Sequence, residues 1–248
     1  MISRSDDYIE YCRETARHAR DPHDLALRGR DKKAITQRIH EQIVKAVELH
    51  PGDNLVDIGC GDGTLLRTAE RVGIKSAIGL LATEEECAVL RRFGLDAQQG
   101  LSDQIPLPDE SASVVVCNSV LLIVPREKIP ASLREIHRIA KPDARVFLGE
   151  IPFVETRDPT PQFKTRRETL SYLYRNHGLR PWFGMLRRMA WWAITGRPAI
   201  LRPGTAITFY AAPAEFIAMA QDAGLELVRY WQHEYPNTRN NYLFRKVA

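Results

Sequence analysis

Four residues at alternate positions, Asp57, Gly59, Gly61 and Gly63, carry the clearest chemical signal in the chain. Glycine lacks a Cβ, so it accepts positive φ and lets a ligand approach the backbone closely. Leu55, Val56 and Ile58 precede the glycines as a short apolar run suited to a buried parallel strand. Leu65, Leu66 and Ala69 follow at helix-compatible spacing, which puts the glycines on a strand-to-helix turn. There, backbone N–H groups and the helix dipole favour an anionic or carboxylate-bearing ligand. Asp57, at the strand's end, is placed to meet a cationic or hydrogen-donating group. An ordinary glycine-rich turn and a dinucleotide loop compete with this reading. The latter wants Gly-x-Gly-x-x-Gly, and Thr64 fills its last glycine position.

With its acid two residues before the first glycine, the stretch resembles motif I of the class I S-adenosylmethionine-dependent methyltransferases, of the type 11-like kind. The resemblance implies an α/β, Rossmann-like, seven-stranded sheet with helices on both faces and S-adenosylmethionine as cofactor. It also implies a cofactor loop of Asp57, Gly59, Cys60, Gly61 and Gly63. Leu107 to Leu121 is similar to the family's loop and fourth strand, with Ser113 in place of an Asp. That match sets Asn118 and Ser119 at a strand's carboxyl end, beside the expected sulfonium and acceptor. Lys141-Pro142-Asp143 resembles the step into a fifth strand over 144–151, with Glu150 near its end as an acceptor contact. Residues 223–228 resemble the junction into a sixth strand, and Tyr242 to Val247 the antiparallel seventh. The resemblance covers about residues 35–152 and 206–247.

Two positions depart from the family. Its second strand usually ends in an acid that holds both ribose hydroxyls, and Leu81 stands there, with Glu84 or Glu85 as the nearest acids to reach back. The adenine loop reads Gly100-Leu101-Ser102-Asp103, with Leu101 where an Asp is often found and Ser102 beside it. A histidine pair common after the fourth strand is replaced by Leu122 and Ile123, so no general base carries over.

The supporting elements follow from periodicity. Tyr8, Ile9 and Cys12 make a weak helical stripe that Asp21-Pro22 breaks; in the family such helices often close over the cofactor, and Tyr8 or Tyr11 would do so here. Ile35, Ile39, Ile43 and Val47 mark an amphipathic helix from Asp31 that ends before Pro51-Gly52. Strand is expected over 76–81, a helix opened by a Thr83–Glu86 capping box, a short strand over 95–99, and helices over 129–140 and 213–223.

The chain has 248 residues, 44% hydrophobic and 27% charged, enough for one domain with an insertion. Its cysteines, Cys12, Cys60, Cys87 and Cys117, form no Cys-x-x-Cys pair, which argues against zinc or a disulfide framework. No leader and no span of roughly 20 apolar residues is visible, so a cytoplasmic location is expected. Between Phe153 and Thr205 ten basic residues face three acids, a local charge of +7 that leaves −3 of the total +4 for the rest. Three of the four tryptophans (Trp182, Trp191, Trp192) fall in the same segment.

The expected organisation is therefore a cofactor-binding domain of residues 1–152 and 206–248, with N-terminal helices, and a helical cap insertion of residues 153–205. On a helix over 182–195, Trp182, Leu186, Met189 and Ala193 share one side, flanked by Phe183, Ala190 and Ile194. Such a stripe either packs the cap onto the domain or makes peripheral membrane contact. Arg166, Arg167 and Arg175 are candidates for an anionic substrate, since arginine binds phosphate and carboxylate bidentately. No RNA-binding module is recognisable, so nucleic acid is not expected as a partner. The reading is methyl transfer to a small-molecule or lipid-linked glycan acceptor, with Glu150, His177 and His233 as candidate bases. No metal is expected. Two rivals stand beside it: a cofactor-impaired methyltransferase-like scaffold, motivated by Leu81 and Leu101, and a transferase that uses a modified S-adenosylmethionine.

Overall fold

The computed structural model describes residues 4–25, 33–153, 166–195, 207–233 and 238–247. Its centre is a seven-stranded sheet of order β3-β2-β1-β4-β5-β7-β6. The strands are β1 (Asn54–Ile58), β2 (Ser76–Leu81), β3 (Ala97–Gln99), β4 (Ala112–Asn118), β5 (Ala140–Pro152), β6 (Leu225–Gln232) and β7 (Arg239–Lys246). Neighbours from β3 through β5 run parallel, and β7 pairs antiparallel with both β5 and β6. This is the α/β, Rossmann-like sheet that the sequence predicts.

Both faces are covered, which explains why β1 and β4 read as near-continuous apolar runs. Along β4 the side chains alternate between faces. Val114 and Val116 meet Ile43 and Val47 of α2 (Lys33–Ala46) and the turn that follows it, together with Leu65 and Ala69 of α3 (Thr64–Val72). Val115 and Cys117 meet Leu133 and Ile136 of α5 (Ile129–Ile139) and Phe216 of α8 (Pro213–Asp222). Phe216 also packs on Tyr242 at 4.9 Å between ring centroids, closing the far end of the sheet. At the near end, α1 (Arg4–His18) lies over α4 (Glu84–Arg92), whose capping box at Thr83 and Glu86 is formed as expected.

Three boundaries differ from the sequence reading. The third strand spans Ala97–Gln99, inside the expected 95–99, because buried Leu95 packs against α3's glycine cap and does not pair with β2. The fifth strand starts at Ala140, so Lys141-Pro142-Asp143 is a bulge inside it: the register slips between Ala112 and Val114, and Asp143 sits at φ 62°. β7 starts at Arg239, three residues early, because Arg239 and Asn240 pair with Pro152 and Ile151.

The insertion contributes two helices, α6 (Arg166–His177) and α7 (Leu179–Thr195), that pack along each other, joined at Gly178 with φ 81°. Most of the segments that flank this pair lie outside the described residues.

One buried ion pair ties the amino ends of the central strands. Arg145 on β5 reaches Asp53 at 2.5 Å and donates to the carbonyls of Val47 and Glu48 at 2.8 and 2.6 Å, and Asp53 also accepts from Ser113 at 2.8 Å. Burial alone would raise the Asp53 carboxyl. The His50 N–H, the Ser113 hydroxyl and the Arg145 guanidinium outweigh it and hold the group below the usual range. Arg145→Ala is expected to lower stability by about 2–4 kcal/mol in urea unfolding at neutral pH. Because the Asp53 pKa is depressed on folding, that difference should fade as pH falls below about 4, where the carboxylate is lost.

Candidate active site

The strand order reverses between β1 and β4, and open α/β sheets place ligands at the carboxyl ends there. A cavity of about 330 Å³ occupies this position. Its floor comes from four strand ends: the loop Gly59–Asp62, Leu80 to Ala82, Asn118 to Val120, and Glu150. Gly100 to Asp103 closes one side, and Tyr8, Ile9, Leu25, Ile39 and His40 from the N-terminal helices form a roof. Tyr8 therefore does cover the site; Tyr11 does not line it.

The glycine loop owes its shape to three left-handed residues, with φ of 71° at Gly59, 54° at Gly61 and 71° at Gly63. A Cβ on Gly59 would stand 2.2 Å from Val120, and one on Gly63 2.3 Å from Leu95. At Gly61 nothing lies within 4 Å of that position, so the space above it is open to the cavity. The amides of Gly59 and Cys60 both donate to Leu80 O, and that of Gly63 to Cys60 O. Gly61 and Asp62 are left as the loop's N–H donors with no backbone acceptor among the described residues. At the start of α3 they suit a carboxylate. Asp62 is itself fixed: its carboxylate accepts from Thr64 N at 3.0 Å and lies 3.1 Å from His23 Nδ1.

Asp57 is buried and does not line the cavity, and no described side chain donates to it. Burial, followed by the Asp62 charge, pushes its carboxyl up to about 8. Gly63 likewise sits behind the wall, as the left-handed cap of α3. Cys60 lines the wall with its thiol pushed up by burial, and Cys117 is raised in the same way, so both are thiols and not nucleophiles.

Leu81 is buried and lines the cavity at the end of β2, with no carboxylate in its place. The reach-back from Glu84 is not made: Glu84 is exposed and paired with Arg91, while Glu85 pairs with Arg13 at 3.2 Å. The acid that does line this wall is Glu86, whose Oε2 accepts from both the N–H and the hydroxyl of Thr83 in the capping box. Ser102 is buried 2.9 Å from Ser132, and Asp103 pairs with Lys128 at 2.9 Å. Lys128 is a lining residue that no motif in the sequence singles out.

Across the cavity from the glycines lies a polar cluster. Ser119 follows β4 and Glu150 lies two residues before the end of β5, and both are left-handed, at φ 62° and 61°. Such residues persist only where the surroundings impose them, at roughly 1–3 kcal/mol each. Ser119 N donates to Gly149 O at 3.1 Å, and Glu150 N to Asn241 Oδ1 at 3.0 Å. Asn118 packs so tightly that a Cβ on Gly149 would meet its Oδ1 at 2.1 Å. Glu150 Oε2 accepts from Ser119 Oγ at 3.3 Å and from Arg239 Nη1 at 2.5 Å, and Oε1 lies 4.0 Å from His233 Nε2.

Of the two candidate bases whose side chains are described, Glu150 lines the cavity and His233 is buried behind it. His177 is the last residue of α6. Arg167 and Arg175 are exposed on α6 and also do not line the cavity; the side chains of Arg166 and His177 lie outside the described part. Arg239, the partner that holds the Glu150 carboxylate, is a residue that the sequence does not single out. Its one signal is the polar run Thr238 to Asn241 directly before an apolar strand.

Two tests follow from these buried charges. Arg239→Met removes one partner of the Glu150 pair and should cost about 3–5 kcal/mol in chemical unfolding. Asp57→Asn should stabilise the ligand-free protein above pH 8 by about 2–5 kcal/mol, because there the wild type must carry an ionised buried carboxylate. The raised Asp57 pKa sets the sign: that gain should shrink as pH falls from about 8 towards 4, and an unchanged gap would refute it.

Residues 56–148 match the family described as a methyltransferase domain. Over 123 residues the chain is 32% identical to the malonyl-[acyl-carrier protein] O-methyltransferase of Serratia marcescens, covering 49% of this chain and 48% of that one. The chain thus spans about half the length of the curated relatives it matches. Among solved structures, magnesium protoporphyrin IX methyltransferase from Synechocystis PCC 6803, with bound SAH, superposes with a TM-score of 0.60 at 14% identity over 98% of this chain and 96% of that one. The putative methyltransferase in complex with the Haloferax volcanii Trm112 methyltransferase activator does so at 0.59 and 18%, over 93% of this chain and 100% of that one. The glycine loop and the ends of β2 and β4 that line the switch-point cavity fall within residues 56–148, the part of the chain that matches the methyltransferase-domain family, and the whole chain shares its fold with these solved methyltransferase structures.

Proposed function

We propose that this protein transfers the methyl group of S-adenosylmethionine to a small-molecule acceptor, free or lipid-linked, held against Ser119 and Glu150. The observation that carries this reading is a single cavity that joins the open face of Gly61 to that left-handed pair. When bound, S-adenosylmethionine supplies a methyl group on a sulfonium that is already a strong electrophile.

The chain's own residues then have four tasks. The amides of Gly61 and Asp62 hold the amino-acid carboxylate. Leu81 and Ser102 wall the nucleoside side, with Gly59, Cys60, Asn118 and Ser119 completing the pocket, while Asp57 shapes the loop from behind. Tyr8, Ile9 and Ile39 exclude water from above, which favours a positioned nucleophile over hydrolysis. Glu150 accepts a hydrogen bond from the acceptor's hydroxyl or amine and orients that group; beside Ser119, it is also the carboxylate placed to take the proton. His233 acts only through Glu150.

The insertion 153–205 serves as the acceptor cap of this unit, with Arg166, Arg167 and Arg175 of α6 meeting an anionic part of the substrate outside the cavity. A second reading, a scaffold with weakened cofactor binding, is favoured by one observation, the apolar Leu81 at the end of β2. The activator complex of the similar Haloferax volcanii protein gives that reading a partner of protein nature.

The test is acceptor screening with S-adenosylmethionine as donor, using acyl thioesters, quinol precursors and lipid-linked glycans. In the responding reaction Glu150→Gln should lower kcat by about 10²-fold or more with S-adenosylmethionine affinity little changed, and Ser119→Ala should do so to a smaller degree. A loss confined to KM would make Glu150 a binding group alone.

A further inference from the structure

Helix α7 presents two apolar sides, and among the described residues only one of them packs on another helix. Trp182, Met185, Leu186 and Met189 are half-buried, and Trp182 stacks edge-on against Tyr174 of α6 at 6.5 Å. The other side carries Leu179, Phe183, Ala190 and Ile194, at i, i+4, i+11 and i+15 on one line of the helix, and all four are exposed. Phe183 is 58% and Ile194 82% exposed, and Trp191 beside them 57%. The stripe expected from the sequence, Trp182 to Ala193, is therefore mostly the inward side, and its flank is the side open to water. Exposed apolar surface of this extent on one helix marks an interaction site.

The charge pattern chooses the partner. Between Leu179 and Thr195 there are three arginines and no acid. Exposed Arg180 and Arg187 border the apolar line, where long side chains can lay their stems along apolar surface and keep their heads in a polar layer. Exposed Arg167 and Arg175 extend the positive field onto α6. A second copy laid symmetrically on α7 would set arginine against arginine, with no carboxylate from either α7. No helix among the described residues is long and apolar enough to cross a bilayer, so a lipid partner would meet α7 at its surface and not around a span.

We propose that α7 is an interfacial helix that docks the protein on an anionic lipid surface. Leu179, Phe183 and Ile194 enter the acyl boundary, and Arg180 and Arg187 pair with headgroup phosphates. The inference stands apart from the methyl-transfer reading, since it requires neither cofactor nor acceptor.

The test uses the full chain with phosphatidylcholine vesicles, with and without phosphatidylglycerol, read by co-sedimentation and tryptophan fluorescence. The protein should partition onto the phosphatidylglycerol vesicles with a blue shift, and less so as salt rises. F183E/I194E should weaken partitioning on the order of tenfold or more, while F183L/I194L keeps it. Both substitutions are at exposed positions, so equal thermal midpoints should confirm that the variants fold. Failure to bind anionic vesicles, or equal binding by the glutamate variant, would overturn the proposal. So would a dimer in sedimentation that F183E/I194E dissociates without any vesicle binding, which would assign the stripe to a second copy.

Discussion

Leu55, Val56 and Ile58 bury β1 on both faces, between β2 and β4 and under helices above and below. A strand so enclosed must deliver its chain over the carboxyl edge of the sheet and turn at once into α3. Five residues, Gly59 to Gly63, make that reversal, which requires left-handed backbone at Gly59, Gly61 and Gly63. Packing enforces the first and last of these, through Val120 and Leu95. Gly61 faces open space instead, so its freedom serves whatever occupies the cavity. The same turn that the fold needs thus leaves the N–H groups of Gly61 and Asp62, beside the cavity, with no backbone acceptor among the described residues.

The opposite wall is held by a different force. Glu150 and Ser119 are strained in backbone and held in place by bonds that cross between β4, β5 and β7. A buried ion pair of this kind stabilises weakly if at all, and is costly to break. Its value lies in direction: Arg239 fixes the carboxylate, and the carboxylate fixes the Ser119 hydroxyl. The register break between Leu148 and Ile151 on β5 falls at this point, so Glu150 steps out of the ladder towards the cavity.

Much of the fold was legible because its signals are local and repeated. The β1–α3 turn, the limits of β2 and the Thr83 capping box follow from short-range rules that tertiary context did not override. Lys141-Pro142-Asp143 misled as a stop, since a bulge lets a strand carry a proline that a regular ladder would reject. Half of the site was equally plain in Gly59 to Gly61, Asn118 and Ser119. The other half depends on contacts 89 to 91 residues apart, such as Arg239 with Glu150 and Asn241 with Glu150 N, and no periodicity announces them. Glu84 shows the converse. Its position suggested a ligand contact, and an arginine seven residues away on the same helix claimed it.

The central claim is that the Gly59–Gly63 turn binds S-adenosylmethionine despite Leu81 at the end of β2. Calorimetric titration of the protein with S-adenosylmethionine and S-adenosylhomocysteine, beside Gly61→Leu, tests it most directly. The account predicts one site per chain with affinity in the micromolar range, abolished in Gly61→Leu. That variant's unfolding free energy should fall by no more than about 1–3 kcal/mol, since the added side chain meets open cavity and pays only the left-handed backbone cost. Absence of binding at millimolar ligand, or equal affinity in the variant, would contradict the account.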